Sequence, residues 1–148
     1  MSMKAYSFLI TIFLFSNCTN NNQETKMPKV HEISGIWVSK DNAVLSLFNN
    51  GTCKADSLPA DVFLNSYKGL RLSGSGKWEI KKSKGPLKWE IKLDIDFGPN
   101  TSPTIKENGV EISLPISGSG VLEKSPPWKS IFVWIDEDSG ERYEFNKK

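Results

Sequence analysis

Residues 87–97 constrain the fold of this chain more than any other segment does. Every odd position in this segment is apolar and every even position is charged, without an exception over eleven residues. A period of two places the apolar side chains on one face of a β-strand and the charged ones on the other. Strands with one buried face and one solvent-exposed face are typical of antiparallel sheets. The segment therefore predicts an antiparallel sheet curled around an apolar core.

The same alternation recurs in the rest of the chain. It is found in residues 77–81, 110–114 and 142–145, and further strand candidates are residues 35–39, 44–48, 52–55 and 130–135. Turn sequences such as Asn50-Gly51 and Asp138-Ser139-Gly140 separate these segments. We therefore predict an all-β fold, a single antiparallel up-and-down barrel of about eight strands.

Two local features interrupt the strands. Residues 57–63 predict one short helical turn, with Asp56 or Ser57 as its cap and Pro59 in its first turn. Pro115 lies within an alternating segment. Because proline has no N–H group to give to a β-ladder, Pro115 predicts a sheet edge or a bulge.

The N-terminus has the organisation of an export signal. An apolar run from Ala5 to Phe15 follows Lys4 and gives way at Cys18 to a polar segment, residues 19–28. The run is about half of the roughly 20 residues that a membrane-spanning helix needs, which favours a cleaved signal over an anchor. The polar segment cannot bury enough apolar surface to order itself, so it predicts a tether.

Residues 14–18, Leu-Phe-Ser-Asn-Cys, resemble the lipobox of bacterial lipoproteins, in which a signal peptidase cuts before the cysteine and acyl chains such as palmitate are attached to it. The resemblance implies a signal peptide over residues 1–17, lipidation of Cys18 and a place in the bacterial cell envelope, at the outer membrane or the cell surface. A flexible tether, residues 18–32, and a barrel domain, residues 33–148, would follow.

The lipobox resemblance leaves ordinary secretion as an alternative. Asn17 and Phe15 depart from the commonest residues of that motif, so cleavage elsewhere stays open. In that alternative Cys18 would be free to pair with Cys53, whereas lipidation of Cys18 leaves Cys53 alone.

Net charge restricts the partners. The chain carries a formal net charge of +2, and cleavage before Cys18 removes Lys4 and takes it to +1. A nearly equal number of basic and acidic residues argues against binding to nucleic acid and against electrostatic binding to anionic lipid, since both use clusters of basic residues. The predicted contact with the membrane is therefore the lipid on Cys18.

The pattern Ser-Gly-x-Trp occurs twice, at residues 34–37 and 75–78. Gly-x-Trp in the first strand of an all-β domain resembles the signature of lipocalin-like, or calycin-type, small barrels. The layout is also similar to that of uncharacterised exported bacterial proteins. In lipocalin-like barrels the Trp closes the base and an Arg of the last strand packs over it. The resemblance thus implies a barrel signature formed by Gly35, Trp37 and Arg142.

The sequence gives little indication of an enzyme. The single histidine, His31, lies beside the predicted tether, so it is a poor centre for a nucleophile or metal site. The acidic residues 136–141 lack the ligand spacing of a calcium loop, and residues 74–76 and 118–120 lead to strands rather than to a helix that could bind phosphate. We predict no catalytic residue, no metal site and no cofactor, with a carboxylate- or metal-dependent enzyme as an alternative.

Aromatic side chains are the candidate contacts. Trp78 and Trp89 lie at apolar strand positions, where they either fill the barrel or line a pocket for one small ligand. Trp128 follows two prolines in a predicted loop, where it is a candidate contact for a ligand or a partner. Two functions stay open: non-catalytic binding of a small apolar ligand, and a protein-interaction module such as an envelope enzyme inhibitor or an immunity-type protein.

Overall fold

The described part of the chain is a closed β-barrel. A computed structural model describes residues 26–64, 68–98 and 109–148. Eight antiparallel strands in these residues pair in sequence order, and β1 also pairs with β8, so the sheet closes on itself. The predicted all-β, up-and-down barrel is confirmed. The predicted signal peptide and Cys18 lie outside the described residues.

The strands follow one another in sequence order. They are β1 (Gly35–Ser39), β2 (Val44–Leu47), β3 (Thr52–Pro59), β4 (Arg71–Lys82), β5 (Trp89–Asp96), β6 (Val110–Ser119), β7 (Ser125–Asp136) and β8 (Glu141–Lys147). Helix α1 (Val30–Ile33) precedes β1, and helix α2 (Ala60–Leu64) follows β3.

The alternation of residues 87–97 has the predicted effect. The odd residues from Ile91 to Ile95 are fully buried, whereas Asp94 and Asp96 are exposed. The strand itself is shorter than the pattern, because β5 begins only at Trp89, after the β4–β5 hairpin.

The core is one apolar cluster inside the barrel. Each strand contributes a fully buried side chain to it: Trp37, Leu45, Leu58, Leu72, Ile91, Leu114, Ile131 and Phe145. Burial of one such side chain stabilises a fold by about 1.5–3 kcal/mol, so the closed sheet rests on contributions from all eight strands.

Helix α2 starts later than the helical turn predicted for residues 57–63. Leu58 continues β3, pairs with Leu72 of β4 and is fully buried. Ser57, the predicted cap, has a φ of +57° at a register shift in β3. Burial of Leu58 in the sheet outweighs the local helix signal, and the helix begins only at Ala60.

The ladder between β6 and β7 ends beside Pro115. On one side Pro115 pairs with Glu90 of β5. On the other side, the register with β7 joins Ile116 to Ile131 and runs from there toward the end of β6. This agrees with the prediction of an edge or a bulge at Pro115. Residues 110–115 of β6 therefore have no ladder partner in the second half of β7, and we call this unpaired part of the barrel wall the seam.

The two ends of the barrel differ in what they carry. The proximal end, where β1 begins, carries α1, the β2–β3, β4–β5 and β6–β7 hairpins and the last residues of β8. The distal end carries the β1–β2 turn, α2 and the β7–β8 hairpin. Helix α1 begins within the segment predicted as a tether, and its residue Ile33 is fully buried.

Candidate functional site

Trp37 closes the proximal end of the barrel. It is fully buried, and its Nε1 donates a hydrogen bond of 2.8 Å to the carbonyl oxygen of Ile33 in α1. Trp78, the tryptophan of the second Ser-Gly-x-Trp sequence, donates a bond of the same length to the carbonyl of Phe48. In both copies of the motif the Trp Nε1 donates to a main-chain carbonyl, but the acceptor is local for Trp37 and distant in the chain for Trp78.

The cation over Trp37 is Lys147 and not Arg142, so this part of the predicted barrel signature was wrong. The β1–β8 register pairs Trp37 with Lys147, whose Nζ lies 5.5 Å from the centroid of the Trp37 ring. A Cβ at Gly35 would lie 3.0 Å from Cε of Lys147, so the glycine makes room for the lysine to cross. Burial lowers the pKa of Lys147, and its Nζ donates to the carbonyl oxygen of Glu32 at 2.7 Å.

Arg142 lies between two rings near the other end of β8. Its guanidinium is 4.3 Å from the ring centroid of Phe132 and 4.4 Å from that of Trp134, close enough for cation–π interactions. Its Nη1 donates to Glu123 at 2.8 Å, and Glu123 also accepts a bond of 2.9 Å from Ser117. These bonds from Arg142 and Ser117 lower the pKa of Glu123. Arg142 thus ties the β6–β7 hairpin to β7 and β8.

Trp128 lies in β7 and not in a loop, which corrects the prediction for this residue. It is 8% exposed and belongs to the barrel core. A Cβ at Gly118 would lie 2.9 Å from Cε3 of Trp128, so the ring packs where only glycine leaves room. Within the described residues, its buried Nε1 has no hydrogen-bond partner.

The three candidate tryptophans do not form one site in the described part of the chain. Trp78 borders a charged depression of about 590 Å³, and Trp128 borders a different depression of about 530 Å³ beside Glu32 and Lys147. Trp89 is half-buried, lies 5.6 Å from Nζ of Lys88 and lines neither of the two.

A groove of about 330 Å³ runs along the seam between β6 and β7, and we call it the seam groove. Its apolar lining residues are Pro86, Leu87, Pro115, Val133 and Trp134, and its carboxylates are Glu90 and Glu137. Neither carboxylate takes part in the ion pairs of the described residues. Trp134 is held at the groove by its stack on Arg142.

Sequence reasoning found one signal for this groove. Pro115 predicted a sheet edge or a bulge in β6. The opposite wall of the groove comes from the β4–β5 and β7–β8 hairpins, which lie far from Pro115 in the sequence. The alternation of residues 87–97 places Glu90 on the charged face of its strand, and Glu137 lies next to the predicted turn at residues 138–140. Only the closed barrel brings them to one groove.

A polar cluster at the distal end was also missed. Asp41 accepts hydrogen bonds from Ser39, Tyr143 and Arg71, the last at 2.6 Å. Burial opposes its charge, but these bonds outweigh burial and lower the pKa of Asp41 to about 2. Burial and the bond to Asp41 raise the pKa of Tyr143 to about 12. An acid this strong and a phenol this weak are poor proton-transfer groups near neutral pH, so the cluster is a structural lock between β1, β4 and β8.

The described residues show no further reactive centre. Cys53 is buried and unpaired, and burial raises the pKa of its thiol to about 11, which suppresses the reactive thiolate. Within residues 26–64, 68–98 and 109–148, His, Cys, Asp and Glu side chains form no group of three that could hold a metal ion. Nor do these residues contain a helix of the length and apolarity needed to cross a membrane.

The fold and the groove define a class of protein, a closed eight-stranded antiparallel barrel with an apolar surface groove beside two carboxylates. No protein-family model matches the chain, and neither a curated protein nor a solved structure is significantly similar to it.

Proposed function

We propose that this protein is a non-catalytic, lipocalin-like binding protein of the bacterial cell envelope, lipidated at Cys18, that takes its ligand in the seam groove. The closed barrel of eight strands is an architecture that lipocalins share, and that supports the relationship. The observation that carries the proposal is the groove, where an apolar floor lies beside two carboxylates outside the ion pairs of the described residues. Concave apolar surfaces with a few convergent polar groups are typical of ligand sites.

The lining specifies the chemistry of the ligand. Leu87, Val133 and Trp134 offer an apolar surface, while Glu90 and Glu137 supply negative charge at the same groove. A ligand with an apolar body and one positive charge satisfies both, because a carboxylate shielded from water by its ligand needs a cationic partner. Anionic ligands are disfavoured by the same two side chains.

The test uses an aromatic amine dye, together with its uncharged and its anionic analogue. Fluorescence titration is expected to show the amine bound most tightly. In the double variant Glu90→Gln, Glu137→Gln, affinity for the amine falls by about five- to tenfold while the uncharged analogue binds as before. Glu141→Gln, a matched change outside the groove lining, leaves all three affinities unchanged. Equal binding of the three dyes to the wild type contradicts the proposal.

The proposed lipid anchor has its own test. Expressed in a bacterial host, the wild type is expected in the membrane fraction with the mass of acyl chains added to a chain that begins at Cys18. Cys18→Ser removes the acceptor thiol and releases the protein from that fraction. An unmodified wild-type chain with an earlier or later N-terminus favours ordinary secretion instead.

A protein-interaction module is the second candidate, and the seam itself favours it. Residues 110–115 of β6 have no ladder partner in β7, and an extended segment of another protein can lie along the seam groove beside them. Affinity capture from envelope extracts compares the wild type with Glu137→Lys, and with Glu141→Lys as control. Loss of one defined protein in Glu137→Lys alone supports this candidate, and identical captures from all three oppose it.

A further inference from the structure

Exposed apolar side chains are concentrated at one end of the barrel. Among the described residues, the large exposed ones at the proximal end are Met27, Val30, Ile36, Phe48, Val121 and Leu122, while Ile135 lies toward the distal end. Val121 is fully exposed and Leu122 is 66% exposed, side by side at the tip of the β6–β7 hairpin. Adjacent apolar side chains held in water at a hairpin tip are typical of a surface that contacts something less polar.

Charge is separated between the same two ends. At the proximal end, the lysines that take no part in the ion pairs of the described residues include Lys26, Lys29, Lys82, Lys84, Lys88, Lys124, Lys129 and Lys148. Exposed acidic residues at the distal end are Asp56, Asp61, Asp96, Asp136, Asp138 and Glu141, and they outnumber the exposed lysines there, Lys40 and Lys68. Glu123, which is next to Lys124, is already paired with Arg142. The molecule is therefore nearly neutral in sum but positive at one end and negative at the other.

We infer that the proximal end is a docking surface for an anionic lipid bilayer, with Val121 and Leu122 inserted and the lysines on the headgroups. The near-neutral net charge argued against such a contact. The net charge of the whole chain does not reveal this surface, because lysines outnumber acids at the proximal end while acids outnumber lysines at the distal end. An anionic membrane surface attracts the proximal end and repels the acidic distal end. The electrostatic field of the membrane therefore binds the barrel and also sets its orientation.

The course of the chain favours a bilayer as the occupant. The chain enters the barrel at the proximal end, a dozen residues after Cys18, the proposed lipidation site. At roughly 3.5 Å per residue, that segment keeps an anchored barrel within about 40 Å of the bilayer. Confinement at this distance raises the effective concentration of the docking surface. Only the confinement of the barrel near the membrane depends on the proposed lipid anchor, because the docking surface itself is part of the barrel.

The test therefore uses a chain without an anchor. A chain that begins at residue 18 and carries Cys18→Ser retains every described strand, because these lie between Gly35 and Lys147. In flotation assays we expect it to bind vesicles that contain phosphatidylglycerol and not vesicles of phosphatidylcholine alone. High salt weakens the binding by screening. Equal binding to both vesicles, or to neither, overturns the inference.

Matched charge reversals locate the surface. Lys124→Glu with Lys129→Glu is expected to weaken binding to the anionic vesicles by about 30-fold or more. Lys40→Glu with Lys68→Glu makes the same change in net charge at exposed distal positions and is expected to leave binding within about twofold of the parent chain. Near-UV circular dichroism verifies that each variant is folded. Equal losses in the two pairs mean that only net charge matters, which contradicts a defined surface.

A labelled cysteine reports the orientation directly. An environment-sensitive dye on Leu122→Cys is expected to shift to the blue on addition of anionic vesicles, whereas the dye on Ser139→Cys in the β7–β8 hairpin does not shift. Cys53 is 2% exposed and so escapes labelling in the folded protein. A blue shift of the Leu122→Cys dye without vesicles, together with a dimer in size-exclusion chromatography, assigns this surface to a second copy and overturns the inference. Because neither the groove nor an acyl chain takes part, failure here leaves the proposed ligand binding and lipidation standing.

Discussion

Two cations on β8 have different roles. Lys147 lies over Trp37 and caps the proximal end, whereas Arg142 lies between Phe132 and Trp134 and holds Glu123. The lysine needs only a point charge and a flexible chain. The arginine uses its plane against two rings and its N–H groups on a carboxylate, which lysine cannot reproduce.

Replacement of Arg142 tests this difference. We expect Arg142→Lys to lower the free energy of unfolding by about 1–2 kcal/mol, since it loses both ring contacts and leaves Glu123 poorly paired. Urea unfolding of the two proteins measures the change. Lys129→Arg, at an exposed position, serves as the control and stays within about 0.5 kcal/mol of the wild type. An Arg142→Lys protein as stable as the wild type shows that the stack contributes nothing.

Asp41 makes stability depend on pH. Its folded pKa of about 2 lies below its ordinary value of 3.8, so its contribution to stability is complete above the unfolded pKa and is lost as pH falls through the folded pKa. Because 36% of its side chain is exposed, solvent screening limits this contribution to about 1 kcal/mol.

The variant Asp41→Asn isolates this effect. We expect it to be less stable than the wild type at neutral pH, and the difference to shrink between pH about 4 and about 2. Urea midpoints across that range measure it, with Asp61→Asn as an exposed control. A difference that persists unchanged at the lowest pH means that the charge of Asp41 is not what stabilises the cluster.

Among the elements, the β6–β7 hairpin departs furthest from a regular ladder. Its register shifts between Ser117 and Ser119, and at that shift the ring of Trp128 packs against Gly118. The irregularity lets Trp128 enter the core although two prolines precede it in the strand. It also presents Val121 and Leu122 at an exposed tip.

Gly118→Ala tests the close approach in this hairpin. The new Cβ would lie 2.1 Å from the carbonyl oxygen of Ser125, so the backbone must move, at a cost of about 1–3 kcal/mol in the free energy of unfolding. Gly85→Ala, whose Cβ would meet nothing closer than 3.4 Å, is the matched control and is nearly neutral. Equal thermal midpoints for the two variants contradict the proposed packing.

For the whole molecule, closure of the sheet protects the interior and sorts the surface. Every strand places an apolar side chain in one cluster, while lysines predominate at the proximal end and acids at the distal end. Cys53 reports the first of these effects because it lies inside the closed wall.

The reactivity of Cys53 measures opening of the barrel. In a Cys18→Ser chain we expect this thiol to react with a disulfide reagent far more slowly than an unfolded thiol, since it is buried and its pKa is raised to about 11. The rate should rise with urea in step with global unfolding. A cysteine placed at Ser139, on the exposed hairpin tip, reacts at once. Rapid reaction of Cys53 in the native protein contradicts a closed wall at β3.

The seam groove combines features that could be predicted from the sequence with others that could not. Alternation predicted which faces of β5 are buried, and Pro115 predicted the end of a ladder, because both depend on neighbouring residues. The placement of Glu90 and Glu137 at one groove could not be predicted, since it depends on how the barrel closes. For the same reason Arg142 was assigned to Trp37, although the register gives that place to Lys147.

Period-two patterns and turn residues act locally, so the all-β class, the up-and-down strand order and the inward faces of the strands could be predicted from the amino-acid sequence. The register that pairs Trp37 with Lys147, the burial of Trp128, the seam groove and the uneven charge of the two ends could be seen only in the folded barrel. Each of these depends on contacts between residues far apart in the chain, which are fixed only when β8 pairs with β1 and the sheet closes.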